Sequence, residues 1–75
     1  MKVGTVTGTV KMEKRAEGLE KAEVLLVELE GNHIAALDRA GAQVGDRVLL
    51  VMSHAASRYC MEMPSDAVVV AVVKD

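Results

Sequence analysis

Aromatic residues are almost missing from this 75-residue chain, which has no phenylalanine, no tryptophan and one tyrosine, Tyr59. A core must therefore be assembled from valine, alanine, leucine and methionine, each of which removes only modest area from water. Cysteine is nearly as scarce. The single Cys60 excludes an intrachain disulfide and fits a reducing compartment. His33, His54 and Cys60 have no zinc-ligand spacing, so no structural metal is expected. No segment approaches the ~20 apolar residues that a membrane span needs. The N-terminal MKVGTVTGTV reads as a strand and lacks the longer apolar run and cleavage site of a signal peptide. Nor is there an excess of positive charge: the net charge is −2 and the pI about 5.6. That balance argues against nucleic acid or an anionic membrane as partner. The expectation is a soluble, cytoplasmic protein.

What is present is apolar and β-branched. Half of the chain is hydrophobic, 51%, yet 75 residues is close to the size at which a single core barely suffices. Chains this small usually add a disulfide, a metal or oligomerisation to offset the conformational entropy lost on folding. The first two are closed here, which leaves assembly with further copies. The segment 41–52, GAQVGDRVLLVM, sharpens that argument. It is a glycine-punctuated turn feeding a strand with no polar face. A small sheet buries one face in its own core, so the second face needs cover, and another copy of the chain is the expected source.

The pattern along the chain predicts five strands. Residues 2–12 alternate, with Gly4, Val6, Gly8, Val10 and Met12 on one face and Val3, Thr5, Thr7 and Thr9 on the other. The two glycines read as structural, permitting a bend or a close approach. A phosphate-cradling loop would need a different spacing and a following helix. Residues 11–23 carry charges of both signs around Gly18 and read as an exposed connector with a possible helical turn, Glu17 and Lys21 forming an i,i+4 pair. Residues 22–30 form the second strand, apolar on both faces. Glu30-Gly31-Asn32-His33 is expected to turn the chain, Gly and Asn taking positive φ. Strands over 33–38, 47–52 and 67–73 complete the set, with Ser53 able to cap a short helix before the last. The fold class is all-β: one domain over 1–75, a small five-stranded OB-like β-barrel with one short helix before the last strand.

Candidate chemistry is thin. His54 lies beside Ser53 and six residues before Cys60, but nucleophilic catalysis also needs a group to orient the base, and the sequence identifies none. Asp38 and Asp66 sit next to turn residues, where an aspartate caps backbone N–H groups. Met52, Met61 and Met63 could ligate Cu(I), though adaptable packing explains them better. No enzyme activity and no cofactor are expected.

Several segments resemble the EutN/CcmL vertex proteins of bacterial microcompartment shells. These are Met1-Lys2-Val3 with Val6-Thr7-Gly8-Thr9-Val10, and Leu19 followed by Val24-Leu25-Leu26-Val27-Glu28. Next come Ala36-Leu37-Asp38, Gly41-Ala42 and Gly45-Asp46-Arg47-Val48-Leu49-Leu50-Val51. The run from Pro64-Ser65-Asp66 to Val73 resembles the family's closing strand. The resemblance implies an OB-like barrel assembling into a homopentamer. That pentamer would cap the fivefold vertices of a shell otherwise tiled by hexameric proteins, and no catalysis is implied.

The chain departs from the family pattern at three places: Gln43 stands where a second glycine is common, Ser53-His54 where Gly-Ser is usual, and Ser57 where the family has an arginine. Arg58 is one residue on, about 100° away on a helix. Small residues suit the convergence of five copies, so Ser53, His54, Ala55 and Ala56 are expected near the fivefold axis, where a ring of His54 would make an opening pH-sensitive. The subunit contact is expected to use Val48, Leu50, Met52, Arg58, Tyr59, Val68 and Val70. The alternative is a monomeric OB-type binding module for RNA or a protein. Single-strand binders pair a basic groove with aromatic platforms, and this chain has one aromatic residue and a negative net charge.

Overall fold

Valine and threonine alternation in the first ten residues and unbroken aliphatic runs later in the chain favour extended backbone, and extended backbone is what forms. A computed structural model describes residues 1–15, 17, 22–52 and 67–74. Five strands are present among them: β1 (Lys2–Val10), β2 (Val24–Leu29), β3 (Asn32–Asp38), β4 (Arg47–Met52) and β5 (Ala67–Val73). They close into a barrel in the order β1-β2-β3-β5-β4. All neighbours are antiparallel except β3 and β5. Residues 11–15 are an exposed, non-helical connector apart from the half-buried Met12. Lys21, one half of the expected Glu17–Lys21 pair, and the expected helix before the last strand lie outside the described residues.

The β2–β3 turn is tighter than the sequence suggested. Leu29 pairs with Asn32, and only Glu30 and Gly31 lie between, at φ 52° and 84°. Two consecutive positive φ values make a type I′ turn, whose twist matches that of the flanking strands. The left-handed position expected at Asn32 therefore falls on Glu30, and Asn32 opens β3.

Closure depends on β1, whose first half pairs with β4 and whose second half pairs with β2, Thr5 being shared by both ladders. At the crossing Gly4 faces the interior. A Cβ there would lie 2.6 Å from Val27 Cγ1 and 2.7 Å from the Glu28 carbonyl oxygen, so only glycine lets β1 settle onto β2. The interior is filled by Val6, Leu25, Val27, Val48, Leu50 and Val69, with Ala36, Ala42 and Ala67 between them. Each fully buried Val or Leu contributes roughly 1.5–3 kcal/mol. No polar side chain is buried among the described residues.

Two bulges re-aim the strands. On β1, Val6 pairs with Val27 and Gly8 with Leu26, leaving Thr7 as the extra residue, its hydroxyl donating to the Leu26 carbonyl at 3.3 Å. The alternation therefore slips: Gly8 and Val10, expected on the same face as Val6, are carried to the outer wall. On β5, Leu50 pairs with Val69 and Leu49 with Ala71, so Val70 is extra and Ala71 turns outward. Bulges of this kind raise local twist and help a short sheet close.

The turn that feeds β4 is held by two aspartates. Asp38 Oδ1 accepts from the N–H groups of Ala40 and Gly41, at 2.9 and 3.0 Å, and Oδ2 from Ala42 at 3.1 Å. Asp46 Oδ2 accepts from the Gln43 N–H at 2.9 Å, while the Asp46 N–H donates back to the Gln43 carbonyl at 3.0 Å. Gly45, at φ 96°, lets its N–H reach the Val6 carbonyl, and the Val6 N–H reaches that of Asp46, both at 2.9 Å. The capping role expected of Asp38 is observed; Asp66 lies outside the described residues.

Gly4→Ala should lower the unfolding free energy by about 1–3 kcal/mol through overpacking against a backbone carbonyl that cannot yield. Gly8→Ala, whose added methyl meets only Leu26 Cβ at 3.9 Å, should not. Urea titration followed by far-UV circular dichroism compares the two. Asp38→Ala removes a charged acceptor from three N–H groups and should cost about 1–3 kcal/mol. Asp38→Asn, keeping one acceptor oxygen, should fall between it and the wild type in the same titration.

Candidate subunit interface

β4 reads RVLLVM, apolar on both faces, and the register shows where each face goes. Val48 and Leu50 point into the barrel and are fully buried, and Met52 packs half-buried against the same core. Leu49 and Val51 point outward. Val51 joins a second apolar cluster on the outer wall with Leu37, Val68 and Ala22, flanked by Val24 and Val70. Ladder pairs align this cluster as a row, Val24–Leu37–Val68–Val51, across β2, β3, β5 and β4. Part of the second face of β4 is thus already buried within the chain.

Of the residues expected at a subunit contact, Val48, Leu50 and Val68 have no exposed surface in the single chain. Val70 and Met52 are half-buried. Arg58 and Tyr59, like the expected axis residues Ser53, His54, Ala55 and Ala56, lie outside the described residues. On the same two strands the open apolar surface is Val72, 47% exposed, and in part Leu49, Ala71 and Val73, none of which periodicity by itself singled out.

Two outer areas stay apolar and at least partly open. Over β1, β4 and β5, Val3, Leu49 and Ala71 form a row by direct pairing, with Val3 exposed and the other two half-buried. Over β1, β2 and β3, Gly8, Leu26 and Ala35 form another row beside Val10 and Val24. Val10 and Ala35 are exposed and the others half-buried. An outer wall facing only water would alternate apolar-in with polar-out.

Two ion pairs lie at the β2–β3 hairpin, one of them reaching across to β1. Lys2 Nζ meets Glu30 Oε1 at 2.9 Å, and His33 Nε2 lies 3.8 Å from Glu28 Oε2. Both pairs are about half exposed or more, so each contributes at most about 1 kcal/mol. Among the described residues no three His, Cys, Asp or Glu side chains are grouped to hold a metal, and no helix is long and apolar enough to cross a membrane.

Comparison with known proteins agrees with this architecture. Residues 1–74 match the family described as ethanolamine utilisation protein EutN/carboxysome, EutN_CcmL. Among solved structures, EutN from Escherichia coli is similar at 32% identity and a TM-score of 0.84, over 97% of this chain and 85% of that one. The pentameric shell protein MSM0273 from the RMM microcompartment is similar at 33% identity and a TM-score of 0.87, over 99% of this chain and 91% of that one. CcmL from Gloeobacter violaceus shares 27% identity at a TM-score of 0.87, over 97% and 84% of the two chains. No curated protein sequence matches significantly. One of these structures is described as a pentameric shell protein, and the resemblance first read in Gly45-Asp46-Arg47-Val48-Leu49-Leu50-Val51 extends through the fold: this chain belongs to the EutN/CcmL family of microcompartment shell proteins.

Proposed function

We propose that this chain assembles as a homopentamer and caps the fivefold vertices of a bacterial microcompartment shell, where its neighbours are hexameric shell proteins. The observation that carries the reading is the uncovered Val3–Leu49–Ala71 row on a barrel whose similar structures include pentameric shell proteins. A row of aliphatic side chains spanning three adjacent strands is covered at little desolvation cost by a like surface. The role is structural: the barrel supplies shape and apolar surface. Of the site residues expected from sequence, Val70 keeps some surface on the outer wall, Val68 is buried on that wall, and Val48 and Leu50, with half-buried Met52, lie in the core beneath it.

Native mass spectrometry and light scattering should give a particle of about five times the 8.0 kDa chain mass; a monomer or dimer at micromolar concentration would sink the proposal. Shells assembled with and without the protein, compared by electron cryo-microscopy, test the location. Density for the barrel is expected at the fivefold corners and not in the facets.

A further inference from the structure

Closed rings with an odd number of subunits cannot be built from a patch that meets its own copy about a two-fold axis. Each chain must carry two different patches, one offered to each neighbour. The outer wall of this barrel has two such areas. The first lies over β4 and β5, where Val3, 41% exposed, continues into Leu49 and Ala71. The second lies over β2 and β3, where Val10, 38% exposed, flanks Leu26 and Ala35. Both areas begin on β1, Val3 near its start and Val10 at its end. In the barrel order β1-β2-β3-β5-β4 they run from it in opposite directions, one onto β4 and β5 and the other onto β2 and β3. They occupy different sides of the wall and leave the molecule in different directions.

The bulges set which residues border each area. Thr7 carries Val10 from the interior to the outer wall, and Val70 does the same for Ala71. Without the β1 slip the second area would lose Val10; without the β5 slip Val70 would take the place of Ala71 beside Leu49. The areas also differ in relief. The first presents branched side chains, Val3 and Leu49, while the second sets Gly8 and Ala35 on either side of Leu26 in one row. A raised row opposite one whose flanks are nearly bare lets apolar surfaces interdigitate at the density that interfaces share with interiors.

We propose that the ring contact is heterologous, the Val3–Leu49–Ala71 face of one copy seating on the Val10–Leu26–Ala35 face of the next. This rests on the pentamer reading and assigns it both halves of its interface. Val3→Lys spoils the first face and Val10→Lys the second. Both positions are exposed on the outer wall, so the lysines reach water and the barrel keeps its circular dichroism spectrum. Ala35→Lys reads the second face should Val10→Lys fail to fold.

Each variant alone is expected to lose the pentamer and run as a monomer in native mass spectrometry. Mixed in equal amounts, the two retain one intact pairing, the β4–β5 face of the Val10→Lys chain on the β2–β3 face of the Val3→Lys chain. The mixture should therefore give one-to-one heterodimers and nothing larger. In the wild type, amide hydrogen exchange should slow on assembly over residues 2–4 and 24–26 together. A folded variant that remains pentameric, a mixture without heterodimers, or protection at one face alone overturns the proposal. A wild-type chain that is itself monomeric overturns the pentamer reading on which it stands.

Discussion

Closing a five-stranded sheet leaves a narrow interior and requires β1 to settle closely onto β2, and much of this protein follows from that constraint. At the closing strand, Gly4 sits where any Cβ would strike Val27 and the Glu28 carbonyl. The interior around it holds valine, leucine and alanine. With no phenylalanine or tryptophan in the chain, the interior is filled by these small aliphatic side chains. The barrel does without a large-residue core because many small aliphatic contacts fill it to interior density.

Narrowness also explains the outer wall. A lumen that small cannot take up half of the apolar residues of a chain that is 51% hydrophobic, so the remainder must go outward. Some of it is buried there within the chain, as the Val24–Leu37–Val68–Val51 row shows. The rest stays partly open on β1, β4 and β5 and on β1, β2 and β3. Membership of a family whose solved relatives include pentameric shell proteins gives that surplus a physical use. In the proposed pentamer, apolar area that the lumen has no room for would be covered between subunits.

The loop before β4 links interior and outer wall. Asp38 and Asp46 together accept from four backbone N–H groups, and the Gly45 and Asp46 backbone pairs with Val6. These bonds set the level at which β4 starts against β1. A strand started one residue away would exchange its faces, sending Val48 and Leu50 to the wall and Leu49 and Val51 to the lumen. The glycines and aspartates of the turn and the aliphatic run after them are in this sense one device.

Composition and pattern determined the class of the protein, the five strands to within a residue or two and the capping role of Asp38; the family was read from the resemblance of its motifs to known shell proteins. The first three rest on local chemistry: β-branched residues favour extended backbone, aspartate beside a turn satisfies nearby N–H groups, and glycine takes the φ values other residues resist. Which apolar residue faces where was decided only in the tertiary structure. In a run such as AVVVAVV every position is apolar and periodicity has nothing to read; the bulge at Val70 sets the outward positions. The bulge at Thr7 likewise broke the simple alternation read for β1. For the same reason Val48, Leu50 and Val68 looked available for a partner, while the exposed aliphatic positions on the strands proved to be Val3, Val10, Ala35 and Val72. Register is a non-local property, fixed by ladders between strands distant in sequence, and the open surface of this barrel is a consequence of it.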